Sequence, residues 1–66
     1  MTVIVNGKSK TFQESITLLG ILKELDLVDK VMAAALNMEI VKQDNWDKQV
    51  LKDNDRLELL DFVGGG

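Results

Sequence analysis

The chain is short and acidic, and it lacks the residues on which most catalytic sites depend. It has 66 residues, with 8 Lys and Arg, 11 Asp and Glu, and a formal net charge of −3. A domain of this size buries only about 60% of the surface that its unfolded chain exposes, so we expect one domain with a thin core. The absence of Cys and His excludes thiolate nucleophiles, Ser-His relays and imidazole bases, and it removes the usual zinc ligands. We therefore expect a protein that is not an enzyme and binds no metal or cofactor of its own.

Charge and hydropathy also restrict the partners. No basic run or stripe is present, so nucleic acid is not an expected ligand. The longest apolar run, Val31 to Leu36, is far shorter than the roughly 20 residues of a membrane span. The opening segment, Met1 to Ile4, lacks the positive charge of a secretory signal. We expect a soluble, cytoplasmic protein that is monomeric on its own.

The first predicted elements form a β-hairpin. Val3 and Val5 alternate with their neighbours as in a half-buried strand. Asn6-Gly7 then suits the two positive-φ positions of a type I′ turn. A second strand should follow, over about Lys8 to Phe12.

A helix is predicted next, with Thr17 as its N-cap. Apolar residues at i, i+3, i+4 and i+7 form one stripe that should lie across a sheet: Leu18, Ile21, Leu22 and Leu25. Gly20 inside this helix costs roughly 1 kcal/mol relative to Ala. We therefore expect either a close contact at Gly20 or a helix that starts slightly after Thr17.

The middle of the chain predicts two short strands and a loop. Val31 to Leu36 indicates a buried strand, although its three alanines are also compatible with a helix. Glu39 to Val41 can return as a second strand. In the polar stretch that follows, Trp46 should anchor the loop to the core, and Val50-Leu51 should bring the chain back to apolar contact.

The last predicted elements are a turn over Asp53 to Asp55 and a strand over Arg56 to Phe62. The element order is then ββαβ(β)β, an α+β plan. With one main crossover helix on a mixed sheet of four to five strands, it becomes a β-grasp, the ubiquitin-like architecture. We expect residues 1–63 to form this domain and residues 64–66 to form a flexible glycine tail.

Several local patterns together resemble the ThiS family of sulfur carriers, over the whole chain. They are Thr17-Leu18 with Leu22 and Leu25, Asn37 to Val41 with Trp46, then Leu51, Asp55, Leu57 and Leu59, and finally Val63 to Gly66. Three positions depart from the family pattern. Lys42 stands where proline is frequent, Asn54 where glycine commonly precedes the aspartate, and Gly20 interrupts the helix. Apart from Gly, Asn is among the residues that best tolerate a left-handed conformation, so Asn54 can serve the same turn.

The resemblance implies a carrier cycle centred on the α-carboxylate of Gly66. An E1-like, ThiF-like enzyme would use ATP to adenylate this group, and sulfur from a donor such as a cysteine desulfurase would convert it to a thiocarboxylate. A ThiG-like thiazole synthase, or another sulfur acceptor, would then receive the sulfur, in the first case for thiamine thiazole synthesis. Gly64 and Gly65 would thread the partner's active site, since glycine adopts any φ that a narrow channel demands.

The final strand also predicts a docking surface. If Leu57 and Leu59 face the core, the period of two places Leu60 and Phe62 on the opposite face, close to the tail. With Val63 they would contact the activating enzyme or the acceptor.

Other interpretations of the same sequence remain open. The sulfur can serve homocysteine and methionine synthesis or molybdopterin synthesis, because surfaces select the acceptor. A ubiquitin-like modifier, in which Gly66 becomes linked to a lysine of a target, would have the same fold and tail. A non-covalent interaction module with an incidental glycine end is a third alternative.

Overall fold

The computed structural model describes residues 1–61. Its elements are β1 (Thr2–Val5), β2 (Lys8–Thr11), α1 (Leu18–Glu24), β3 (Val31–Leu36), β4 (Glu39–Ile40), a 3₁₀ helix (Gln43–Asn45) and β5 (Arg56–Asp61). The predicted order is confirmed, and the alanine-rich segment is a strand rather than a helix. The strand prediction for Phe62, the tail and the boundary after Val63 lie outside the described residues.

The five strands form one mixed sheet in the order β2-β1-β5-β3-β4. β1 pairs with β5 in parallel, and the other neighbouring strands are antiparallel. The helix α1 packs its buried side chains against one face of this sheet. This arrangement is the β-grasp that the sequence predicts, with the last strand of the chain at the centre of the sheet.

The first hairpin turns where the sequence predicts. Asn6 and Gly7 have φ values of 50° and 84°, as a type I′ turn requires. All four residues of β2 are exposed, and Lys8 and Lys10 are typical of an edge strand protected against pairing with another chain. Phe12 follows β2 rather than ending it. Its side chain is buried, and its N–H donates to the carbonyl of Met1 at 2.9 Å.

The helix begins at Leu18 because Thr17 caps it. The Thr17 hydroxyl accepts a hydrogen bond from the N–H of Gly20 at 3.0 Å, which satisfies one of the free amides of the first turn. Leu18, Ile21 and Leu22 are fully buried, and Leu25 packs half-buried beside them. The predicted apolar stripe is confirmed.

Gly20 lies where a larger side chain has no room. A Cβ atom at this position would be 2.9 Å from Ile16 Cγ1 and 3.3 Å from Thr17 Oγ1. The first distance is shorter than van der Waals contact between carbon atoms, whose optimum is about 3.5–4.0 Å. The predicted close contact therefore explains the glycine, and the helix does not start later.

Within residues 1–60 the core contains 13 buried apolar side chains, drawn from strands, helix and loops. Trp46 is buried as predicted, and its Nε1–H donates to the carbonyl of Val41 at 2.9 Å. Leu51 also enters the core, whereas Val50 is exposed and pairs through its backbone with Thr17. The expectation of apolar contact for Val50-Leu51 was therefore wrong for Val50.

The predicted turn at residues 53–55 ties the start of β5 to β1. Asn54 adopts a φ of 69°, so it serves the left-handed position as expected. Its N–H donates to the carbonyl of Thr2, and the N–H of Thr2 donates to the Asp53 carboxylate, both at 2.6 Å. Asp55 closes the turn by accepting from the N–H of Lys52 at 2.7 Å.

Gly20→Ala should lower the melting temperature, although the same change in an open helix raises it. The higher helix propensity of Ala stabilises the protein by about 1 kcal/mol, but overpacking, here against Ile16, typically costs about 1–3 kcal/mol. Thermal unfolding compares this variant with Lys23→Ala, an exposed position of the same helix, which should change stability little. A more stable Gly20→Ala variant would contradict the close contact.

Candidate functional site

The side chains of β5 alternate between the core and the opposite face of the sheet. Leu57 and Leu59 are buried, and Leu60 is 54% exposed. The predicted orientation of the two core leucines is confirmed, and Leu60 lies on the surface as expected. Phe62 and Val63, the other predicted docking residues, lie outside the described residues.

Leu60 belongs to a larger apolar surface, which we call the open face because it is turned away from α1. It is defined by Ala33, Ala35, Ile40 and Leu60. The strand register brings these residues together, since Ala33 pairs with Leu60, and Ala35 is opposite Ile40. Ile40 is 73% exposed. A shallow groove of about 340 Å³ runs over this surface, with Glu58 and Asn6 also among its lining residues.

The turn between β3 and β4 adds a further exposed apolar residue. Asn37 and Met38 have φ values of 50° and 73°, and Met38 is 89% exposed. Met side chains adapt to differently shaped partners because they are flexible and polarizable. The sequence analysis did not identify Met38 or Ile40 as exposed apolar residues. For Ile40 a signal was available, because it alternates with Val41, which packs against the core.

The described residues offer no internal site for chemistry. Within residues 1–60, whose side chains the structure describes, none that is polar or charged is buried, and no three carboxylates lie close enough to hold a metal ion. The same stretch contains no helix with the length and apolar character that crossing a membrane requires. An acid–base pair needs a site that separates two pKa values by burial or by neighbouring charges, and this part of the chain encloses none.

Chain length limits where the predicted reactive group can lie. Gly66 is five residues beyond Asp61, the last residue of β5. Five extended residues span at most about 18 Å. The candidate carboxylate of Gly66 and the two glycines before it lie outside the described residues, but the carboxylate is tethered within this radius of Asp61. A partner that acts on it must therefore bring its active site within about 18 Å of Asp61.

Comparison with known proteins identifies close structural relatives. The sequence model of the ThiS family matches residues 3–66. The crystal structure of a thiamine biosynthesis protein (ThiS) from Geobacter metallireducens superposes with a TM-score of 0.83 at 34% identity, covering 100% of both chains. The sulfur carrier protein ThiS of Bacillus subtilis is 32% identical over 63 residues, which are 94% of this chain and 96% of that protein.

A longer relative contains a segment like this chain. The thiazole synthase of Paramagnetospirillum magneticum is 33% identical over 66 residues, which are 100% of this chain but only 20% of that protein. The chain therefore spans a fifth of that enzyme's length. Similarity over the complete chain shows that a carrier-like segment and a thiazole synthase share one polypeptide in this relative.

Two neighbouring leucines of β5 test the orientation of the strand. Leu59→Ala should cost roughly 2–5 kcal/mol of unfolding free energy, because it truncates a core side chain. Leu60→Ala should stay within about 0.5 kcal/mol of the wild type, as is usual for an exposed position. Chemical denaturation of both variants measures the difference. Equal losses would show that Leu60 is not on an open face.

Proposed function

The chain belongs to the ThiS family, and we propose that it carries sulfur as a thiocarboxylate on the α-carboxyl group of Gly66. The observation that carries this proposal is the family match, which continues through residue 66. The whole-chain structural likeness to a ThiS protein supports it. The described residues enclose no polar cluster suited to catalysis, which fits a protein that is acted upon by enzymes.

The proposed cycle begins with adenylation by an E1-like, ThiF-like enzyme. An oxygen of the Gly66 carboxylate attacks the α-phosphorus of ATP, and the bond to pyrophosphate breaks. A sulfur nucleophile then attacks the acyl carbon and expels AMP. Written with hydrosulfide, the acyl adenylate and HS⁻ give the thiocarboxylate, AMP and one proton. A cysteine desulfurase is the proposed source of the sulfur, which it holds as a persulfide; two equivalents of a thiol reductant release this sulfur as hydrosulfide and are oxidised to a disulfide.

The terminal carboxylate and the glycines before it both have properties that suit this role. A terminal carboxylate has a reference pKa of about 3.3–3.7, so it is ionised and nucleophilic at neutral pH. Gly64 and Gly65 carry no Cβ, so they can enter a channel too narrow for other residues. Because the tail reaches at most about 18 Å past Asp61, the partner's active site must lie within this distance of Asp61 in the complex.

We propose that the sulfur acceptor is a ThiG-like thiazole synthase, and hence that the carrier serves thiamine thiazole synthesis. The carrier-like segment within the thiazole synthase of Paramagnetospirillum magneticum supports this choice. Joining two activities in one polypeptide keeps them at high effective concentration. In a carrier that is not fused to its synthase, a docking surface must provide the same proximity.

The open face is the proposed docking surface for the activating enzyme. It places Leu60 on the surface one residue before the end of β5, and it places Ile40 on the surface beside Ala35, which pairs with Glu58 in the middle of β5. Phe62 and Val63 follow Leu60 in sequence. Exposed apolar patches of this kind mark interaction sites. The acceptor synthase must reach the same short tail, so we propose that it approaches from the same side.

Adding one residue after Gly66 should abolish activation without affecting folding. The extension buries no side chain, but it removes the carboxylate from the position where the reacting atoms must lie about 3–3.5 Å apart. Deleting Gly66 should reduce activation severely, because Gly65 then presents an equivalent carboxylate one residue, about 3.3–3.6 Å, short of its target. ATP–pyrophosphate exchange with the cognate activating enzyme measures both effects. Full exchange by the extended protein, with the added residue still present, would refute the carrier function.

Leu60→Ala should weaken binding to the activating enzyme while leaving the fold intact. Truncation of a central apolar contact typically costs about 2 kcal/mol, which is roughly thirtyfold in Kd. Isothermal titration or fluorescence anisotropy measures the affinity. Val50→Ala is the matched control, because Val50 is 47% exposed but lies beside Thr17, away from the open face. Equal affinities for the two variants would place the docking surface elsewhere.

A further inference from the structure

The parallel pairing of β1 with β5 ends at a side-chain acceptor instead of a backbone carbonyl. The N–H of Ile4 donates to the carbonyl of Asp55, and the N–H of Asn6 donates to the carbonyl of Leu57, both at 2.9 Å. Hydrogen bonds in a parallel ladder are evenly spaced, so the next donor on β5 is the N–H of Leu59. A continuing ladder would supply the backbone carbonyl of Asn6 as its acceptor, but the chain turns back into β2 at this residue.

The side chain of Asn6 takes the place of the missing strand. Its Oδ1 accepts the hydrogen bond from the N–H of Leu59 at 2.8 Å. Asn6 also holds a φ of 50°, a conformation that Asn and Asp tolerate better than other residues with side chains. One residue therefore makes the tight turn and extends the pairing of β5 by one further hydrogen bond.

This bond acts on the part of β5 nearest to the tail. On its other edge β5 pairs with β3 as far as Asp61. On the β1 side, within the described residues, the backbone pairing runs only to Leu57, and Asn6 extends it to Leu59. Without this bond the last residues of β5 would be held along one edge only, and the tail begins a few residues later.

We propose that Asn6 is a positioning residue for the carrier reaction. By fixing the N–H of Leu59, it holds the described end of β5, from which the chain continues toward Gly66, in one place relative to the open face. This inference rests on the proposed function, because it concerns how the Gly66 carboxylate is delivered. Asn6 acts through β5 and touches no reacting atom itself.

The molecule contains a matched control at the opposite end of the same strand. Asn37 has the same φ of 50°, and its Oδ1 accepts a hydrogen bond from the N–H of Arg56 at 3.0 Å. Its Nδ2 also donates to Asp55 at 3.1 Å. Asn37→Gly therefore removes at least as much hydrogen bonding as Asn6→Gly, but from the start of β5, remote from the tail.

The test compares Asn6→Gly, Asn6→Asp and Asn37→Gly in ATP–pyrophosphate exchange with the activating enzyme. Gly keeps the turn, because Gly-Gly suits type I′ positions, whereas Asp keeps the acceptor. For Asn6→Gly we expect kcat to fall about tenfold, with KM within roughly a factor of two, since small errors in placement mainly reduce the rate of the chemical step. Asn6→Asp and Asn37→Gly should retain the wild-type kcat.

Amide hydrogen exchange provides a second measurement on the native protein and the variants. The Leu59 amide of the wild type should be protected like that of Leu57, and Asn6→Gly should remove this protection at Leu59 selectively. Rapid exchange at Leu59 in the wild type would overturn the inference even if a variant failed to fold. So would equal kcat values for all variants, equal losses in Asn6→Gly and Asn37→Gly, or no recovery in Asn6→Asp. If the wild type itself supports no exchange of pyrophosphate, the proposed function fails instead.

Discussion

The central position of β5 is the constraint on which the rest of the structure depends. This strand pairs with β1 on one side and with β3 on the other, so it joins the N-terminal hairpin to the second half of the chain. Its contact with β1 links residues 52 positions apart, Ile4 and Arg56. No disulfide or zinc cluster can assist, because the chain has no Cys and no His. The hydrogen bonds and buried leucines of β5 therefore link the two halves, together with backbone hydrogen bonds between residues 16–19 and 46–51.

The same strand connects the fold to the proposed function. Leu57 and Leu59 anchor it in the core, whereas Leu60 faces outward on the open face. The proposed reactive residue, Gly66, follows five residues after Asp61. Because core packing and the proposed docking surface use alternate residues of one strand, the fold that buries Leu57 and Leu59 also sets the position of the open face. A carrier without a catalytic site of its own needs such a set position, since its partner must recognise the domain and reach the carboxylate at the same time.

Local patterns predicted most of the elements because their causes are local. Three of these features depend only on residues that are close in sequence: the Asn6-Gly7 turn, the Thr17 cap and the apolar stripe of α1. The alanines of β3 were ambiguous, since pairing with β5 decides their conformation. Val50 and Ile40 illustrate the same limit, because their exposure depends on which distant residues cover each position.

The candidate site was predictable only in part. The alternation along β5 placed Leu60 on the surface, whereas the carrier chemistry at Gly66 was implied by the family resemblance and stays a proposal. The hydrogen bond from β5 to Asn6 was not visible, because its side-chain acceptor meets a donor 53 residues later in the chain. A turn-forming asparagine has the same local sequence signature whether or not its side chain binds another strand. Only the register of β1 against β5 distinguishes the two cases.

Intact mass spectrometry of the protein isolated from its own cells tests the central claim most directly. The account predicts a population heavier than the unmodified chain by the difference between one sulfur and one oxygen atom, located on the C-terminal peptide. This population should disappear when the activating enzyme is absent. A C-terminal peptide that carries only an ordinary carboxylate under conditions of active sulfur transfer, or one linked to a lysine of another protein, would contradict the sulfur carrier assignment.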